Sequence, residues 1–144
     1  MTRFLGVDYG TKRIGLALSD ENGTLAFPNG IFSNDLNLFK EIGIILKKEN
    51  IAEIVVGESV DFKGKPNILS KKIEIFISEL EARFKIPIRR QKEFLTSIEA
   101  RGKEGKEKNN ARKTKKEIGK KVDDSAAALI LQRYLDKKNK SLML

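Results

Sequence analysis

The chain has 144 residues, 40% of them hydrophobic and 34% charged, with 29 Lys and Arg against 20 Asp and Glu for a net charge of +9. That length is one domain with a sizeable core, and no apolar run approaches the roughly 20 residues that a membrane span needs. The absence of Cys and His excludes disulfides, thiolate chemistry, imidazole zinc sites and the Ser-His-Asp triad, so any catalysis runs on carboxylates, lysines or a hard cation such as magnesium or manganese.

The N-terminus shows no signal-peptide pattern, which places the chain in the cytoplasm, and it enters a strand at once. Phe4, Leu5 and Val7 are apolar and Asp8 ends the run. An Asp is poorly suited to a strand, and burying it ionised is costly without a partner. Gly10 and Thr11 turn the chain. Ile14, Leu16 and Leu18 then alternate with Arg13, Gly15 and Ala17, the period of a strand with one buried face, so residues 4 to 19 read as an antiparallel hairpin. Asp8 sits at its tight end, beside the turn amides, which it could simply satisfy, and beside Lys12. Asn22-Gly23 leads to a third strand from Leu25 to Phe32, and Pro28 suits an edge position.

Ser33, Asn34 and Asp35 offer N-cap chemistry, and Leu38, Phe39, Ile42, Ile45 and Leu46 predict a helix over about 35–49. Ala52 to Gly57 is a short apolar strand, expected to pair parallel to an earlier one because it follows a helix. After a loop from Val60 to Asn67, the residues Leu69, Ile73, Phe76, Ile77, Leu80 and Phe84 mark a second helix that Pro87 ends. Ile86 to Gln91 is a fifth strand. Beyond it Thr96 or Ser97 can cap a short helical turn through Glu99 to Arg101. Between Arg101 and Lys121 ten Lys or Arg face three Glu, so this one run carries +7 of the total charge. So one-sided a block favours a polyanionic partner, and its lack of an apolar face disfavours a membrane surface. From Val122 onward Ala126, Leu129, Ile130, Leu131, Tyr134 and Leu135 mark a last helix, with Asp123 and Asp124 in its first turn and a frayed tail after Lys137.

The order β-β-β-α-β-α-β-α, without repeats or a domain linker, describes an α/β fold over residues 1–144. It is a mixed five-stranded sheet, three antiparallel strands first, with helices on both faces, the ribonuclease H-like arrangement among others. There the first and fourth strands are central neighbours, so Asp8 and Glu58 are expected to approach one another. Taken singly, Asp123 and Asp124 could cap a helix, and Glu58 and Glu93 could be solvated. Together, acids gathered at one sheet end repel one another unless a cation is present.

VDYGTKRIGLALSD at 7–20, EIVVG at 53–57, EFLTSIEA at 93–100 and KVDDSAAALILQRYL at 121–135 together resemble the YqgF/RuvX family, described as candidate Holliday-junction resolvases and as nucleases maturing the 5′ end of pre-16S ribosomal RNA. The resemblance covers nearly the whole chain and implies the ribonuclease H-like fold. It carries the family's first-strand Asp onto Asp8, the Glu of its D-E-R-L-[ST] motif onto Glu93 and the Asp opening its last helix onto Asp123. Lys92 and Phe94 replace the Asp and Arg that flank the motif Glu. Where the family reads G-L-P-L-N-M-D-G this chain has GESVDFKG at 57–64, which adds Glu58 as a fourth candidate ligand.

The resemblance implies a metal-dependent endonuclease with two Mg2+ or Mn2+ ions about 4 Å apart, held by Asp8, Glu93 and Asp123 with Glu58 assisting. Lys12 and Arg13 would hold a neighbouring phosphate. Arg101, Lys103, Lys106, Arg112, Lys113, Lys115 and Lys116 would supply salt-sensitive attraction to nucleic acid without reading bases. The expected substrate is precursor rRNA, with four-way DNA as the alternative; a junction calls for two sites on symmetric strands and hence a homodimer. A third reading is a ribosome-assembly factor that binds nucleic acid without cutting. The Asp-x-Gly-Thr segment is also similar to the first phosphate loop of actin-like ATPases and sugar kinases, which need two such domains where this length supplies one.

Overall fold

Alternation of side chains along β1 (Arg3–Asp8) sorts the core into two halves, one on each side of the sheet. The computed structural model describes residues 2–59, 68–93 and 126–143. Within them β1 is followed by β2 (Arg13–Ser19), β3 (Ala26–Ser33), α1 (Leu38–Lys48), β4 (Ile51–Ser59), α2 (Ile68–Arg83), β5 (Ile88–Glu93) and α3 (Ala126–Met143). The sheet order is β3-β2-β1-β4-β5. β1 is antiparallel to β2 and β2 to β3, whereas β4 runs parallel to both β1 and β5. This is the mixed, ribonuclease H-like sheet that the element order predicts, with β1 and β4 central and β3 at an edge.

Leu5 and Val7 of β1 face one way, with Ile14, Leu16, Ile54 and Val56. They pack against Leu38, Ile42 and Leu46 of α1 and Ile73, Ile77 and Leu80 of α2. Phe4 faces the other way, with Ala17 and Val55, against Ala127, Ile130, Leu131 and Leu135 of α3. Each large aliphatic side chain buried in this way stabilises the fold by about 1.5–3 kcal/mol. β2 therefore differs from the expectation of a single buried face, since Ala17 is fully buried beneath α3.

Missing side chains bring α3 close. A Cβ on Gly6 would stand 2.8 Å from Leu131 Cβ and 3.0 Å from the Ala127 carbonyl oxygen, and one on Gly57 would stand 2.5 Å from Ile130 Cδ1. Glycine in a strand often marks such an approach.

Several boundaries differ from the sequence reading: β3 is shifted by one residue to Ala26–Ser33, β4 runs on to Ser59 and β5 to Glu93, and three others have a local cause. α1 starts at Leu38, because Asp35 makes a separate turn before it: its Oδ1 accepts the Asn37 amide at 2.9 Å and its carbonyl accepts the Leu38 amide at 3.1 Å. β5 starts at Ile88, after Pro87 has turned its carbonyl to the Ile54 amide at 3.0 Å. α3 does not fray after Lys137 but continues to Met143, with Lys138 Nζ donating to Glu53 at 3.3 Å and Asn139 Nδ2 to the Gly23 carbonyl at 3.0 Å. The predicted loop at 60–67 and the helical turn around residues 96–101 lie outside the described residues. No described helix is long and apolar enough to cross a membrane.

Candidate active site

Asp8 is the last residue of β1, and its Cα pairs with Gly15 of β2. It shares its pleat parity with Phe4 and Gly6, so it belongs to the face that α3 covers. A Cβ built on Gly15 would lie 3.6 Å from Asp8 Cβ, 4.0 Å from Asp8 Oδ2 and 3.7 Å from Ala127 Cβ. The half-buried Asp8 carboxylate therefore lies beside Gly15 of β2 and Ala127 in the first turn of α3, where a methyl group on Gly15 would sit in ordinary contact with both. A carboxylate oxygen is the donor class that small hard cations select.

The turn that follows Asp8 is tied down. Asn34 Nδ2 donates to the carbonyls of Gly10 at 2.9 Å and Thr11 at 3.3 Å, and the Asn34 amide donates to the Lys12 carbonyl at 2.9 Å. A side chain on Gly10 would overlap the Arg13 carbonyl oxygen. Lys12 and Arg13 are exposed, and neither is ion-paired to a described residue. Arg13 has the parity of Gly15, which puts it on Asp8's face. In the sequence Asn34 reads as a capping residue; its tertiary role as the tether of this turn has no local signal. Gly15 does carry one, since a glycine inside a strand marks close approach or a ligand.

Glu58 is placed differently from expectation. β4 does lie beside β1, but the register pairs Val7 with Val56, so Gly57 is the residue level with Asp8, and Glu58 falls on the opposite face. There its Oε2 accepts from Arg90 Nη1 at 3.1 Å, and the same nitrogen bonds Glu74 of α2. These two carboxylates, Glu74 foremost, hold Arg90 more firmly protonated than an ordinary arginine. Asp8 and Glu58 thus occupy adjacent strands without converging, because adjacent residues of a strand point to opposite sides.

Glu93 ends β5 with its Cα paired to that of Ser59. Its side chain, Asp123, and the basic run containing Arg101, Lys103, Lys106, Arg112, Lys113, Lys115 and Lys116 lie outside the described residues. Among the described residues no three acidic side chains gather as a metal-binding group.

The position of α3 decides what stands over Asp8, and polar clamps hold it on both flanks. Towards β3, Gln132 Oε1 accepts the Ala26 amide at 2.9 Å and Gln132 Nε2 donates to the Thr24 carbonyl at 2.8 Å. Towards β4 and β5, Glu53 accepts from Arg89 at 3.1 Å, from the Tyr134 hydroxyl at 3.1 Å and from Lys138 at 3.3 Å. Burial pushes the Glu53 carboxyl up, but Arg89, Lys138 and Tyr134 together outweigh it and hold the group below the usual carboxylate value. Burial, with the Glu53 charge beside it, pushes the Tyr134 phenol up.

The chain matches the model of the RuvX family, described as Holliday junction resolvase, over residues 2–137. Relatives bearing the provisional name pre-16S rRNA nuclease include one from Maridesulfovibrio salexigens, 32% identical and covering 92% of this chain and 97% of the relative. Another, from Thermoanaerobacter pseudethanolicus, is 35% identical over 96% of this chain and 99% of the relative. A solved structure of T. thermophilus RuvC in complex with Holliday junction substrate aligns with a TM-score of 0.45 and 13% identity over 69% of each chain.

Proposed function

The chain belongs to the RuvX family, and from that premise we propose that it is a cytoplasmic nuclease that hydrolyses phosphodiesters in precursor 16S rRNA. The observation that carries this reading is the half-buried Asp8 carboxylate at the end of a central strand, beside Gly15 and the first turn of α3. Asp8, Glu93 and Asp123 are the residues that would hold Mg2+ or Mn2+. Register supports including Glu93: Gly57, level with Asp8, pairs with Gln91, and Glu93 follows two positions later with the same parity. Ala126, where α3 begins, follows three residues after Asp123. Glu58 is left out of the set because it pairs with Arg90 on the other face.

When bound, the metal supplies a nucleophilic water at neutral pH and neutralises charge on the departing oxygen. The protein supplies position. Asn34 fixes the turn that carries Lys12 and Arg13, and these cations hold the neighbouring phosphate near Asp8. The first turn of α3 shields one side of Asp8 from water. The basic run at 101–121 contributes backbone attraction that weakens as salt rises.

The family description favours a second substrate, the four-way DNA junction, which would require two copies acting together. One assay separates the cases: ribosomal RNA precursor and four-way DNA are presented in parallel to wild-type protein and Asp8→Asn with Mg2+ or Mn2+. The expected result is metal-dependent cutting of the precursor that Asp8→Asn abolishes. Faster cutting of the junction would reassign the substrate. Equal binding by both proteins without cutting would replace the nuclease reading with that of a nucleic-acid-binding assembly factor.

A further inference from the structure

The row of residues that starts at Asp8 does not end at Gly15. Asp8 pairs with Gly15, and Gly15 pairs with Ile31 of the edge strand β3, so all three positions share the face that α3 covers. Gly15 contributes no side chain, and α3 does not cover Ile31: the isoleucine is 50% exposed. One pair further along β2 on the same face stands Arg13, opposite Ser33, also exposed. A carboxylate, a glycine, an exposed cation and an exposed aliphatic side chain are therefore neighbours on one face.

These chemistries match the parts of a single nucleotide. A phosphate suits Arg13, while Ile31 offers nothing to a phosphate. In RNA an apolar side chain reaches the face of a base when that base is unstacked and turned out of a helix, because an RNA duplex presents its phosphates and sugars outward and keeps its base faces hidden. We propose that Ile31 is the contact for the base of an unpaired nucleotide whose phosphate lies on Arg13, so that the site takes nucleic acid that is single-stranded next to the bond at Asp8. The inference rests on the reading of Asp8 as the cleavage centre only for where the nucleotide lies.

The test is equilibrium binding with EDTA present, so that it does not depend on cutting. Fluorescence anisotropy would compare single-stranded and duplex RNA of one sequence on wild type, Ile31→Thr, Arg13→Gln and Phe27→Thr. Threonine keeps the β-branched shape that an edge strand favours. Phe27, 52% exposed and paired with Leu18 on the opposite face of the same strand, is the control. Ile31→Thr is expected to weaken single-strand binding about fivefold or more, leaving duplex binding and the salt slope unchanged. Arg13→Gln should lower the salt slope for both RNAs by about 1. Phe27→Thr should change neither.

Equal losses on both RNAs with Ile31→Thr, or no loss on either, would overturn the proposal. The first means a structural role and the second a surface occupied by something else, such as residues 94–125 of this chain. A change of oligomeric state with both Ile31→Thr and Phe27→Thr would overturn it in favour of a second copy docking on the β3 edge. If the strand preference appears as expected while metal-dependent cutting never does, the nuclease reading fails and the subsite stands.

Discussion

Glycines and one asparagine hold more of the site's geometry than the acids that are the obvious candidates. Gly6 has no room for a methyl group, because the Ala127 carbonyl and Leu131 Cβ already occupy the place. Gly6→Ala is therefore expected to lose about 1–3 kcal/mol in urea unfolding, and an unchanged midpoint would show that α3 can lift without cost. Asn34 ties three carbonyls of the turn after Asp8 through its side chain and amide. Asn34→Ala is predicted to lower stability by about 1 kcal/mol and to reduce the cutting rate beyond what unfolded protein accounts for, measured where the variant remains fully folded. Glu58 provides the contrast. Its carboxylate faces Arg90 and α2, so Glu58→Gln should retain metal-dependent cutting under conditions where Asp8→Asn abolishes it; equal loss in both, with folding intact, would return Glu58 to the ligand set.

At the scale of elements, α3 is the piece whose seat is set by charge as well as by packing. Glu53 joins it to β4 and β5 through Tyr134, Lys138 and Arg89. The native Glu53 carboxyl titrates below its ordinary value of 4.5, so its stabilisation is fully present above that value and is lost as pH falls through the lower native one. Glu53→Gln is expected to be less stable than wild type at pH 7 by roughly 1–3 kcal/mol. The gap should close on acidification below pH 4.5; a gap constant down to pH 3 would remove the carboxylate from this role. Strand order and the central Asp8 were legible in the sequence because pleat and helix periods leave plain marks in apolar residues. The faces of Asp8 and Glu58 were not. They depend on the register between two strands separated by a helix, and a one-residue difference in that register moves a side chain through the sheet.

For the whole molecule, the distribution of charge was legible, and its +7 run is countable without coordinates. The role of Asn34 was not, because its partners lie over 20 positions away and leave no trace in local pattern. The run predicts how binding responds to salt: replacing Lys113, Lys115 and Lys116 by Gln should reduce the slope of log Kd against log salt by about 2 for single-stranded RNA, and an unchanged slope would mean that these lysines do not touch the backbone. α3 also links the two poles of the sheet. Its first turn stands beside Asp8, while Lys138 and Asn139 fasten its far end to Glu53 and to the Gly23 carbonyl. In genetic terms, a stop codon at position 138 would delete none of the candidate carboxylates and yet release the distal anchors of the helix whose first turn stands beside Asp8. Such an allele should behave as a heat-sensitive loss of function although it leaves the codon for Asp8 untouched.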